Sequence, residues 1–94
     1  MQIKINSVLA GDCLKIMKNI KSEFVDLIIT DPPFNLGKKY RTYKDRLTKN
    51  DYIKWCERWL LECVRMLKPH GSLYLFNYPE NNARLIPFLD KHMV

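Results

Sequence analysis

Three short apolar runs divide the chain, at residues 5–10, 24–30 and 72–78, and the stretches between them repeat their apolar residues at helical spacing. FVDLIIT (24–30) is β-branched and almost wholly apolar, which predicts a strand buried on both faces, as in a parallel sheet. CLKIMKNI (13–20) sets Leu14, Met17 and Ile20 on one face and predicts a short amphipathic helix. TKND (48–51) reads as a capping box with Asp51 in place of the usual Glu. The helix it opens is expected to run to about Leu67, with Ile53, Cys56, Leu60, Cys63, Val64 and Leu67 as its apolar stripe. KPHG (68–71) is expected to stop that helix. Residues 79–82 are expected to turn the chain into a last helix that Pro87 starts late or bends. Residues 31–47 are left as a long loop. The order strand, helix, strand, helix, strand, helix predicts an α/β fold of about three parallel strands with flanking helices.

With 94 residues the chain has material for one domain with a thin core. No apolar run approaches the ~20 residues of a membrane span. The opening MQIKINSVLAGD lacks the apolar stretch and cleavage site of a signal peptide, so a cytoplasmic location is expected. The net charge of +6 suits a polyanionic partner such as nucleic acid, and equally a lysine-rich solvated surface. Three cysteines, Cys13, Cys56 and Cys63, are expected to be free thiols. Cys56 and Cys63 would sit roughly 10 Å apart along one helix, too far to bridge, and share a face with Trp59 and Leu60. Trp55 and Trp59 are assigned to the core. Beyond the thiols, His70 and His92 offer the only imidazoles, and no pair has zinc-site spacing, so no metal is expected.

Candidate chemistry concentrates after the second apolar run. In open α/β sheets ligands bind at the carboxyl ends of strands, where Asp12 and Asp31 fall. Pro32 and Pro33 fix φ, lack N–H groups and force the residues before them extended. The corner thereby presents the Asp31 carboxylate and nearby backbone carbonyls as acceptors, with the ring of Phe34 beside them. Such a site fits a planar group bearing an amino donor, since two N–H groups need two acceptors and the ring needs a stacking partner. A plain strand-ending turn is the competing reading. Asp12 equally suits the N-cap of the helix that follows it. Asn77 and Tyr78 end the third apolar run and could line a pocket there. The run Lys38, Lys39, Arg41, Lys44, Arg46 and Lys49, interleaved with Tyr40 and Tyr43, fits phosphate contacts as well as a solvated charge run.

DPPF (31–34) resembles the D-P-P-Y/F signature of amino-group DNA methyltransferases, most often adenine-N6 enzymes. GDCLKIMKNI followed by VDLIITDPPFNLGKKY is similar to the opening of the permuted subclass, in which the catalytic motif precedes the cofactor motif. The resemblance covers about residues 6–90. It implies a partial Rossmann-like methyltransferase fold, S-adenosylmethionine as cofactor, double-stranded DNA as partner and a restriction-modification setting. It also implies that Asp31 and the Pro32 carbonyl accept hydrogen bonds from the target amino group, that Pro33 holds the corner, and that Phe34 stacks on the flipped-out base. Asp12 and the backbone of Cys13 would contact the adenosyl part of the cofactor, and Asn35, Lys38, Lys39 and Arg41 the DNA. Phe34 stands where the family usually has Tyr, which keeps the stacking face and loses a hydroxyl.

The subclass carries a glycine-rich F-x-G-x-G cofactor motif and a target-recognition region later in the chain. The three glycines here, Gly11, Gly37 and Gly71, form no G-x-G. The chain is therefore expected to be the amino-terminal part of a catalytic domain, truncated or split from its carboxy-terminal half and inactive alone. Two alternatives stand beside this. One is a relative that modifies cytosine N4, RNA or a protein amide, although Ser or Asn is commoner at position 31 in those groups. The other is an inactive remnant that only binds nucleic acid.

Overall fold

The computed structural model describes residues 4–35 and 47–93. In chain order they form α1 (Cys13–Met17), β1 (Val25–Thr30), α2 (Lys49–Met66), β2 (Leu67–Leu75) and α3 (Pro79–His92). β1 and β2 pair in parallel, with Leu27 opposite Ser72, Ile28 opposite Leu73, Ile29 opposite Tyr74 and Thr30 opposite Leu75. Between them α2 serves as the crossover that parallel strands require.

Helix ends follow the local chemistry. Asp12 caps α1 by accepting from the Leu14 N–H at 2.9 Å, the N-cap role considered above. Thr48 caps α2 by accepting from the Asp51 N–H at 3.2 Å. The C-terminal carbonyls of α2 at Arg65 and Met66 are taken up by the N–H groups of Glu23 and Phe24, at 2.9 and 2.8 Å. Arg65 ties the turn after α1 to α2, donating to the Met17 and Ile20 carbonyls at 2.7 Å each. Pro79 opens α3 at its first turn, where the missing N–H costs nothing.

The core is one cluster of Tyr52, Cys56, Trp59, Leu60, Cys63 and Leu85. Ile28, Leu73 and Leu75 pack against it from the sheet, Leu14 and Met17 from α1, and Phe88 and Leu89 from α3. All three helices thus lie on one face of the sheet. The other face, with Leu27, Ile29, Tyr74 and Phe76, is more than half exposed at each of these residues.

Several expectations are corrected here. Residues 5–10 are not a strand, so the described residues contain two strands, not three. Asn6 takes φ 58° and Gly11 φ 143°, which break the extended path, and Ile5 and Val8 are 87% and 95% exposed. β1 is covered on one face only. KPHG is not a stop but the first part of β2, where Pro69 is tolerated because β2 advances from Leu67 to Ser72 while β1 advances only from Val25 to Leu27. Asn77 lies beyond the end of β2, and Tyr78 is the N-cap of α3, which begins at Pro79 rather than after Asn82. The apolar stripe of α2 runs through Tyr52, Trp59 and Met66, with Ile53 and Val64 only partly buried.

Candidate functional site

The corner 31–35 leaves the sheet where the ladder ends. The last bond runs from the Phe76 N–H to the Thr30 carbonyl at 2.9 Å. Two further carbonyls of the corner are also occupied. That of Pro33 accepts from the Tyr52 hydroxyl, and that of Phe34 accepts from Asn81 Nδ2 at 2.8 Å. Among the described residues no hydrogen bond reaches Asp31 or the Pro32 carbonyl. Of the acceptors that the sequence brings to this corner, those of Asp31 and Pro32 have no partner among the described residues.

Asn35 follows with φ 62°, a left-handed conformation that Asn tolerates. Its carboxamide donates to the Leu47 carbonyl at 2.8 Å and accepts from the Leu47 N–H at 2.7 Å. Asn35, expected to touch DNA, thus has both ends of its amide committed to Leu47. Lys38, Lys39 and Arg41 lie outside the described residues.

Asp31, Pro32 and Pro33 form one wall of a cavity of about 460 Å³. Cys13 and Met17 of α1, Ile28 and Thr30 of β1, and Trp55, Trp59, Cys63 and Met66 of α2 complete it. Cys13 is therefore brought to the same cavity as Asp31, while Asp12 sits one residue away with one carboxylate oxygen spent on the α1 cap. Phe34 does not line this cavity. The volume lies within the usual range of small-molecule sites, ~300–1,000 Å³. The lining is almost wholly apolar, with aromatic rings and sulfur atoms beside Asp31, and suits the flat ring of an adenosyl group.

Burial pushes the Cys56 and Cys63 thiols up to about 11. Burial, with the Asp12 charge second, also raises Cys13. Cys56 and Cys63 are buried and act through packing, whereas Cys13 is exposed. Among the described residues no group of three or more His, Cys, Asp or Glu is placed to hold a metal ion.

Sequence reasoning does not single out Tyr52 or Asn81. A signal exists for Tyr52, which lies one turn before Cys56 on the apolar stripe, since a buried Tyr needs a partner for its hydroxyl. Asn81 gives none, because its partners come from other elements.

The family of DNA methylases of the N6/N4 type matches residues 25–93. Type II methyltransferase M.HpaI of Haemophilus parainfluenzae is 48% identical over 69 residues, 73% of this chain and 22% of that protein. Type II methyltransferase M.BamHI of Bacillus amyloliquefaciens is 42% identical over 84 residues, 88% of this chain and 20% of that protein. DNA adenine methyltransferase YhdJ of Escherichia coli K12 is 38% identical over 84 residues, 89% of this chain and 27% of that protein. The chain thus spans about a quarter or less of each of these relatives.

Proposed function

Because the chain belongs to the N6/N4 DNA methylase family, we propose that it is part of an enzyme that methylates the exocyclic N6 of adenine in double-stranded DNA. The observation that carries this is the pair of acceptors at Asp31 and Pro32, without partners among the described residues, beside the occupied carbonyls of Thr30, Pro33 and Phe34. An amino group needs two acceptors for its two N–H groups. Its nitrogen lone pair is delocalised into the ring, which makes it a weak nucleophile. Hydrogen bonds to a carboxylate and a carbonyl at fixed positions draw the nitrogen toward tetrahedral geometry and free the lone pair. As the nitrogen takes up the methyl group it becomes cationic, the Asp31 carboxylate stabilises that charge, and loss of one N–H proton to solvent restores a neutral amine. The base must leave the duplex to reach the corner, and stacking on Phe34 offsets roughly 1–3 kcal/mol of the cost. Asp at position 31 favours adenine over cytosine N4, as does the adenine named for the YhdJ relative.

Asp12 and Cys13 would hold the adenosyl part of S-adenosylmethionine. When bound, this group supplies an electrophilic methyl. The absence of any G-x-G among the three glycines extends the proposal. Turnover needs a glycine-rich cofactor segment outside residues 1–94, on the same or a second chain, and the sheet is part of a larger Rossmann-like one. The basic run at Lys38, Lys39 and Arg41 contacts phosphates beside the extruded base.

The test is nucleoside analysis of duplex DNA treated with the enzyme containing these residues. N6-methyladenine is expected. Asp31→Ala should lower its yield by roughly 10²-fold or more with DNA binding nearly intact. Phe34→Tyr should be tolerated. N4-methylcytosine as the product would move the target to cytosine, and full activity of Asp31→Ala would remove the catalytic assignment.

A further inference from the structure

We propose that Tyr52, Asn77 and Asn81 are positioning residues, a polar clamp that engages the Pro33 and Phe34 carbonyls so that a donor amino group is directed to the acceptors of Asp31 and Pro32. The inference rests on the chemistry proposed above for Asp31. Tyr52 comes from the first turn of α2, Asn77 from the segment between β2 and α3, and Asn81 from the first turn of α3. Three parts of the chain converge on two peptide groups.

The direction of every bond is set by elimination. The Pro33 carbonyl can only accept, so the Tyr52 hydroxyl donates its proton there. The Tyr52 oxygen must then accept, and Asn77 Nδ2 donates to it at 2.9 Å. That orientation turns Asn77 Oδ1 toward Asn81 Nδ2 at 3.0 Å and toward the Tyr78 N–H at 2.7 Å. Asn81 Nδ2 spends its second proton on the Phe34 carbonyl at 2.8 Å. Tyr52 is 1% exposed and Asn81 8%, so these polar groups would be costly without the network.

The consequence is selective. With Thr30 bonded to Phe76 and Pro33 and Phe34 bonded to the clamp, each flanking carbonyl on either side of Asp31 and Pro32 has one lone pair engaged and competes less for the incoming N–H groups. The Pro32–Pro33 peptide, whose carbonyl is the second acceptor, is also held from its far side. Such preorganisation acts on turnover more than on binding.

Tyr52→Phe keeps the ring in the core and removes only the hydroxyl. Asn77→Asp, at a half-buried position, puts an acceptor against Tyr52 and draws its proton away from Pro33. In the enzyme containing these residues, labelled with carbon-13 at its carbonyls, both variants should move the Pro33 carbonyl resonance and leave that of Thr30 in place. In the enzyme containing these residues, Tyr52→Phe should lower kcat roughly 10- to 100-fold with KM for DNA changed by less than about twofold. A Pro33 signal unmoved in both variants, a wild-type kcat, or a raised KM with kcat unchanged would each overturn the clamp while leaving the Asp31 reading intact. Full activity of Asp31→Ala would instead overturn the reading beneath it, whatever Tyr52 does.

Discussion

Gly71 shows how one position can be decided by space rather than by backbone angle. A Cβ there would meet Leu67 Cδ1 at 2.5 Å, Leu67 Cγ at 2.7 Å and the backbone carbonyl of Asp26 at 3.0 Å. Leu67 is buried, so its side chain can yield only by disturbing the core, and the Asp26 carbonyl belongs to β1. Gly71 lets β2 press against β1 within the irregular part of the ladder. Gly71→Ala should therefore destabilise by about 1–3 kcal/mol through overpacking, read in a melting curve as a drop of roughly 5–15 °C. An unchanged melting temperature would mean that the bulge relaxes freely. Neighbouring Lys68 pairs with Asp26 at 3.2 Å, but Asp26 is 84% exposed, so that pair adds little.

At the scale of elements, Asn35 and Leu47, which flank the basic run, are bonded to each other. The Asn35 amide and the Leu47 backbone form a two-bond ring. Lys49 pairs with Glu80 just beyond, joining the starts of α2 and α3, and this pair lowers the Glu80 carboxyl. If Lys38, Lys39 and Arg41 act on phosphates, replacing all three by alanine should weaken binding to every duplex alike. It should also flatten the slope of log K against log salt by roughly 0.9 for each phosphate left without its cation, measurable by fluorescence anisotropy across a salt series. An unchanged slope would assign the run to solvent.

On the scale of the whole molecule, the helices cover one side of the sheet and leave Leu27, Ile29, Tyr74 and Phe76 open. The molecule is 17 Å across its thinnest axis against 35 and 32 Å along the others, as one sheet with one helical layer requires. Parallel sheets are rarely stable with a bare face. The isolated 94-residue chain should therefore self-associate and unfold with weak cooperativity. Ile29→Lys and Tyr74→Lys together should shift sedimentation velocity profiles toward monomer. A sharp, monomeric transition in the unaltered chain would show that the bare face needs no cover.

Residue order alone determined the α/β alternation, the helix from 49, the free thiols and the stiff corner at Asp31, because each depends on local periodicity or on the fixed φ of proline. Asp12 was legible as a cap for the same reason. The strand expected at 5–10 failed because an apolar run becomes a strand only when an edge pairs with it, and pairing is not local. FVDLIIT reads as buried on both faces, yet the helices all fall on one side, a choice made by the packing of α1, α2 and α3 together. Which carbonyls of the corner find partners was likewise beyond the sequence. Pro33 and Phe34 are occupied by Tyr52 and Asn81, which lie 19 and 47 residues further along the chain, and Thr30 by Phe76 past the end of β2. Among the described residues, only their arrival leaves Asp31 and Pro32 as the acceptors without partners. Hydrogen-bond satisfaction between distant elements is a property of tertiary structure, and local sequence does not determine it.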